Sequence, residues 1–363
     1  MAHIAHDPDA QPDHKTTMEL GAVLPLTAEV KDGHLFIGGC DTVELAQTFG
    51  TALYVMDEEH IRVQLRNYLE WTRYHWKNVD VVYAGKAFIS KAMCRLVAQE
   101  GCHLDVSSGG ELAIALAAGF PAERIVAHGN NKTVRELVEC LEAGVGRIVV
   151  DSFEELARID RLALERDIRQ PILIRVTPGI VADTHEYIQT GSEDSKFGFG
   201  LRDGLALKAI IKALELPGID FKGLHMHIGS QIFALNSYAK AIEVIVHFME
   251  EIRANTGCVV SELDTGGGLG IAYGVPDEPA TIQQYGKVIV DDIKEHCVEH
   301  GLPVPRILVE PGRSIVANAG VTLYTVGTIK HIPGVRTYVA VDGGMTDNIR
   351  TALYGAHYEP VIA

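Results

Sequence analysis

The feature that most constrains this chain is a rhythm of short apolar runs that end in polar residues. They recur near residues 79–84, 103–107, 124–128, 147–151, 171–176, 222–228, 261–265 and 305–310. Runs such as Val81-Val82-Tyr83-Ala84 and Ile307-Leu308-Val309 are β-branched, aliphatic or aromatic, which suits strands covered on both faces. Most of the intervals have helical spacing. One is the alanine-rich stretch between Gly110 and Gly119; another begins Phe153-Glu154-Glu155-Leu156 behind Ser152, a natural N-cap. Eight strands alternating with helices predict a (β/α)8 barrel rather than an open doubly wound sheet. The longer intervals, 177–221 and 266–304, are expected to hold larger active-site loops as well as helices.

Outside that stretch the pattern changes. Gly33–Gly39 and Thr51–Asp57 each read as a strand, and the second has no place in an eight-stranded barrel, so it is assigned to a second domain or its junction. From residue 315, Ile315–Lys330 and Arg336–Gly344 have no helix between them and predict an antiparallel hairpin. The expected organisation is a disordered leader (1–17), the N-terminal part of a β domain (18–57), the barrel (58–314) and a C-terminally incomplete, mostly antiparallel β domain (315–363).

A formal net charge of −16 argues against nucleic acid and against an anionic membrane surface as partners. No apolar run is long enough to span a bilayer, and the first residues lack the basic and apolar regions of a signal peptide. The six cysteines are scattered, with no C-x-x-C pair, as expected of core thiols in a reducing cytoplasm. No metal site is expected, because His225 and His227 have no third ligand at a recognisable spacing.

Catalytic groups of a barrel sit at the C-terminal ends of its strands. Those positions here carry Lys86, Asp105, His128, Asp151, Arg175, His225 to Ser230, Asp264 to Gly270, and Glu310 to Arg313. Lys86 follows a buried strand, and partial withdrawal from water would favour the neutral amine that a Schiff base with an aldehyde requires. Gly266, Gly267 and Gly268 form either an anion-binding nest or a plain tight turn; neither a P-loop nor a Rossmann fingerprint fits. Alternation along a strand predicts that only one of His225 and His227 faces the barrel mouth. Glu310 needs a partner, either Arg313 in an ion pair or a protonated ring nitrogen.

The ordered motifs Tyr83-Ala84-Gly85-Lys86-Ala87, His227-Ile228-Gly229-Ser230-Gln231, Asp264-Thr265-Gly266-Gly267-Gly268 and Glu310-Pro311-Gly312-Arg313 resemble those of the pyridoxal-phosphate decarboxylases of the alanine-racemase fold. Within that group, His128-Gly129-Asn130-Asn131-Lys132, Ser195-Lys196-Phe197-Gly198 and Asp347-Asn348-Ile349-Arg350-Thr351-Ala352-Leu353-Tyr354 are similar to the diaminopimelate decarboxylase family. The resemblance implies that Lys86 holds pyridoxal 5'-phosphate, that His227 stacks on its ring and that Glu310 pairs with the ring N–H. It places Asp105, Ser230, Gly266, Gly267, Gly268 and Arg313 in the rest of the cofactor site, with Ser230, Gly267, Gly268 and Arg313 at the phosphate or its surroundings. Related racemases have an arginine where Glu310 stands, so Glu310 implies decarboxylation.

Arg313, Arg350 and Tyr354 are implied substrate contacts, Arg350 offering a bidentate fork to a distal carboxylate. The implied reaction converts meso-2,6-diaminopimelate to L-lysine and CO2, in a cytoplasmic homodimer with active sites at its interface. Asp347 leaves open a decarboxylase of ornithine or arginine. Carboxynorspermidine as substrate, and a non-catalytic relative that works by binding, also stay open. Two departures stand out. Thr351 replaces the family's proline, and the family's later Cys-Glu segment and tyrosine, which reach the partner subunit's site, have no counterpart before Ala363. Low activity of this chain is therefore expected.

Overall fold

The computed structural model describes residue 21 and residues 23–180, 196–274 and 276–363. The expected leader and Ser195 lie outside them. The chain divides into two compact units, one built from residues 1–61, 272–278 and 316–363 and the other from residues 62–271 and 279–315. Ala272–Glu278, expected within the barrel, groups with the first unit.

The first unit opens with an antiparallel sheet of β1 (Glu29–Lys31), β2 (His34–Ile37) and β3 (Cys40–Asp41), followed by β4 (Leu53–Met56). The second unit is the barrel. Its strands are β5 (Val79–Ala84), β6 (His103–Val106), β7 (Ile125–Ala127), β8 (Arg147–Val150), β9 (Gln170–Thr177), β11 (Ile219–His225), β12 (Glu262–Asp264) and β13 (Arg306–Val309). A two-residue strand, β10 (Phe199–Gly200), adds to β9. All the pairings are parallel, and β13 pairs with β5 to close the ring. Closure turns the inward face of each strand into core, and Val82, Val126, Val149, Leu173 and Leu308 pack together there.

The loops after β5, β6, β7 and β8 are short because the next helix is capped at once: Ser90, Ser108, Thr133 and Ser152 each accept a backbone N–H three residues on, as Thr281 does after the long loop that follows β12. The eight expected barrel strands are all present, within a residue or two at most ends.

The tail corrects one expectation. Ile315–Lys330 is not a single hairpin arm: Arg313–Val316 is helical, and β14 (Gly320–Leu323) pairs antiparallel with β4. Only β15 (Val326–Ile332) pairs with β16 (Arg336–Val341). The break falls at Thr325, whose hydroxyl meets Thr51 at 2.7 Å and whose N–H donates to Asp342 at 2.8 Å. β4 therefore finds its partner in β14, which the strand rhythm alone did not reveal.

Candidate active site

The chemistry-bearing side chains of the second unit gather where the barrel strands end. Lys86 sits in a single 3-10 turn, Gly85–Ala87, directly after β5. Tyr83 braces that turn by donating its hydroxyl hydrogen to the Phe88 carbonyl at 2.7 Å. Gly85 is required because a Cβ there would lie 2.6 Å from the Asp105 carbonyl oxygen. The close approach brings Lys86 Nζ to 3.8 Å from Asp105 Oδ2. The expected withdrawal of Lys86 from water is not seen: its side chain is 52% exposed and its neighbour is a fully buried carboxylate. The strand is buried, but the turn after it lifts the side chain out of the core.

Asp105 leads to a cluster whose members the sequence placed at strand ends without pairing them. His128 Nε2, at the end of β7, lies 4.0 Å from Asp105 Oδ1 and 2.6 Å from Glu310 Oε1. His225 Nε2, at the end of β11, hydrogen-bonds Glu310 Oε2 at 3.1 Å. The two imidazoles meet edge to face with centroids 4.9 Å apart. Glu310 is therefore flanked by histidines on both carboxylate oxygens, and Arg313, the expected ion-pair partner, instead donates from Nη2 and Nε to Ser230 Oγ at 3.0 and 3.3 Å.

The expectation that only one of His225 and His227 faces the mouth misapplied strand alternation, under which residues two apart share a face; β11 itself ends at His225. His227 Nδ1 accepts from the Gly267 N–H at 3.3 Å, which leaves the ring proton of the neutral imidazole on Nε2.

Of the two readings of the glycine run, the structure supplies a packing reason. A Cβ on Gly267 would lie 2.0 Å from the Glu310 carbonyl oxygen, since β12 and β13 are neighbours. The Gly266 N–H is held by Asp264 Oδ1 at 2.9 Å and the Gly267 N–H by His227, so two of the three amides already have acceptors.

Burial sets the protonation pattern. Desolvation pushes His225 down to about 3, only partly offset by Glu310, so its imidazole is neutral. Burial alone would raise the Glu310 carboxyl, but His128 and His225 more than reverse this and hold it well below the usual range. Asp264 moves the other way, raised well above its ordinary value by burial and then by the Glu310 charge. Asp105 is raised by burial, with His128 and Lys86 opposing. His227 is lowered by desolvation and by the cations of Lys86 and Arg175. Of these three carboxyls Glu310 is the one whose anion is favoured, since Asp105 and Asp264 are both shifted upward.

Among the described residues, six buried side-chain atoms lack a hydrogen bond of good geometry. Five of them lie here: Asp105 Oδ2, His128 Nε2, His225 Nδ1, Asp264 Oδ2 and Glu310 Oε1, the His128 and Glu310 atoms meeting each other as an ion-pair contact only. Such a concentration of under-satisfied polar atoms marks a site built for a polar ligand and not a plain core. Around it, Lys132 pairs with Glu155 at 2.5 Å and donates to the Gly129 and Val149 carbonyls, tying the ends of β7 and β8 together. Arg175 stacks 4.3 Å from the Phe197 ring centroid.

Arg350 and Tyr354 belong to the other unit, on the helix Arg350–Tyr354. The Arg350 guanidinium lies 5.3 Å from the Tyr354 ring centroid and 6.0 Å from that of Tyr273. Asp347, the competing candidate, turns its carboxylate back onto the Gly344 N–H at 2.9 Å.

Residues 59–317 match the pyridoxal-binding domain of the pyridoxal-dependent decarboxylases. Diaminopimelate decarboxylase of Bacillus subtilis is 49% identical over 91% of this chain and 75% of its own length. The crystal structure of diaminopimelate decarboxylase from M. jannaschii in complex with L-lysine superimposes with a TM-score of 0.86 at 37% identity, covering 92% of this chain and 77% of that one. A lysine/ornithine decarboxylase from Vibrio vulnificus bound to putrescine matches less well, with a TM-score of 0.72 at 26% identity over 88% of this chain and 79% of that one. The chain belongs to the diaminopimelate decarboxylase family of pyridoxal-dependent decarboxylases.

Proposed function

We propose that this chain decarboxylates meso-2,6-diaminopimelate to L-lysine, with pyridoxal 5'-phosphate attached at Lys86. The observation that carries the reading is Glu310: a buried carboxylate, held ionised, in a cluster that reaches Lys86 through Asp105. The under-satisfied polar atoms around it fit a ligand with a ring nitrogen to be paired. Bound there, pyridoxal phosphate supplies an electron sink for the pair left behind when CO2 departs.

The residues present have defined tasks. Lys86 offers a solvent-accessible amine, and Asp105 steers its Nζ. His227, oriented by the Gly267 N–H, presents a neutral ring to the cofactor face. Ser230 and Arg313, already paired with each other, form the anion-binding corner. Glu310 keeps a proton on the ring nitrogen, which favours decarboxylation over racemisation. Gly266, Gly267 and Gly268 allow the backbone to pass close by. Arg350, with Tyr354 beside it, receives the distal carboxylate of the substrate through its fork. The turn that occupies Asp347 argues against its use for a distal cation, and so against ornithine. We also assign a homodimer in the cytoplasm, the arrangement implied by the resemblance.

Measured release of CO2 decides the substrate. Turnover of meso-diaminopimelate with no turnover of ornithine is expected. Arg350→Ala should raise KM for diaminopimelate about 10-fold or more, since a charge-assisted bidentate contact is lost. Equal turnover of both substrates, or an unchanged KM in the variant, contradicts the role of Arg350.

A further inference from the structure

Glu310 would be an unreliable base without its flanking histidines. It shares the barrel mouth with two other buried acids, Asp105 and Asp264, and with the cations of Lys86 and Arg175. Carboxyls crowded in a low-dielectric site cannot all ionise, and the proton goes to whichever is least stabilised as an anion. Asp264 accepts from the Gly266 N–H and its carboxyl faces that of Glu310, while Asp105 has only long contacts, from Ser107 Oγ at 3.4 Å, Lys86 Nζ at 3.8 Å and His128 Nε2 at 4.0 Å. Glu310 alone has an imidazole nitrogen against each oxygen, one from β7 and one from β11.

We propose that His128 and His225 are positioning residues that clamp Glu310 between two strands, so that it is the member of the buried acid cluster left ionised and aimed at the cofactor ring nitrogen. The inference rests on the cofactor reading given above. A carboxylate has about four lone-pair sites. Two are taken by the histidines, which fixes the carboxylate plane and still leaves acceptor capacity for a ring N–H. With either imidazole removed, the negative charge loses a donor, and a proton that now rests on Asp264 would pass to Glu310. A protonated Glu310 no longer holds a proton on the ring nitrogen. The two histidines would therefore set the strength of the electron sink without touching the substrate.

The test loads wild type and variants with pyridoxal phosphate labelled with 15N in the ring and reads the nitrogen chemical shift. Asparagine at 128 or 225 is too short to reach Glu310, whereas glutamine places its amide near the Nε2 position. In His225→Asn and His128→Asn the signal should move toward that of a neutral pyridine, and kcat should fall about 10-fold with little change in KM. His225→Gln and His128→Gln should recover most of both. A ring nitrogen that stays protonated in the asparagine variants overturns the clamp, even where their thermal stability drops. Glu310→Gln separates the two levels: if it too leaves the ring protonated, the pairing of Glu310 with the ring is what fails.

Should the asparagine variants not take up cofactor, infrared spectroscopy of the unloaded chain decides. A protonated-carboxyl band, assigned by its loss in Glu310→Gln, should appear in those variants at neutral pH and be absent from wild type. Its absence from both would refute the proposal.

Discussion

The barrel strands and the β15–β16 hairpin are made of similar residues and end in opposite environments. Val82, Val126, Val149, Leu173 and Leu308 are shut inside a closed ring, whereas Val326, Ile329, Tyr338, Val339 and Val341 are exposed on a two-stranded pair. β-Branched composition specifies a strand; ring closure is what makes it core. The same contrast governs the chemistry. At the barrel ends Glu310 is buried and held by His128 and His225 from two other strands. Arg350 and Tyr354 ride instead on a five-residue helix at the surface, with the Arg350 guanidinium against the Tyr354 ring. The barrel-end cluster is fixed by contacts between strands, whereas the Arg350–Tyr354 helix lies on an exposed stretch of the other unit.

Three measurements put that contrast at risk. The largest effect is expected for Leu173→Ala, which removes a fully buried side chain at the centre of the ring and should lower unfolding stability by about 3–5 kcal/mol in denaturant titrations. A loss below about 1 kcal/mol would mean the ring is not the core.

The second concerns acid. His225 titrates near 6.5 when unfolded and at about 3 in the fold, and Glu310 is likewise held below its unfolded value. In both cases the unfolded chain binds more protons. The stability associated with His225 is therefore fully present above about pH 6.5 and lost as pH falls from there towards 3, with Glu310 adding its loss below about 4.5. Roughly 2–3 kcal/mol should disappear by about pH 4, seen as a falling Tm, and His225→Gln should flatten the upper part of that slope. A Tm independent of pH between about 7 and 4 would contradict the buried neutral imidazole. The smallest effect belongs to the hairpin, where Val339→Ala should change stability by under about 0.5 kcal/mol. A loss as large as that of Leu173→Ala would erase the contrast.

The barrel was legible because its strands are continuous apolar runs, and because catalytic groups collect at strand ends. Lys86 and Glu310 follow from that rule. The histidine clamp does not. His128, His225 and Glu310 are far apart in the chain, and only closure of the ring brings the ends of β7, β11 and β13 to one point. The period-2 argument was misapplied at His225 and His227, since residues two apart on a strand share a face. The glycine run was ambiguous for a related reason: the backbone approach that requires Gly267 comes from Glu310 on the next strand, which has no signature beside the glycines. Lys86 was misjudged in its exposure, since a single 3-10 turn separates it from the strand it follows. For the clamp and the glycine run the missing information was the tertiary neighbour, not the residue type.

The central claim is that the barrel end holds pyridoxal phosphate on Lys86, and covalent trapping tests it most directly. The chain is incubated with pyridoxal phosphate, reduced with borohydride and digested, and the adduct is located by mass spectrometry. One equivalent on the peptide containing Lys86, lost in Lys86→Ala, is the predicted result. Label spread over other lysines, or retained in Lys86→Ala, would contradict the account.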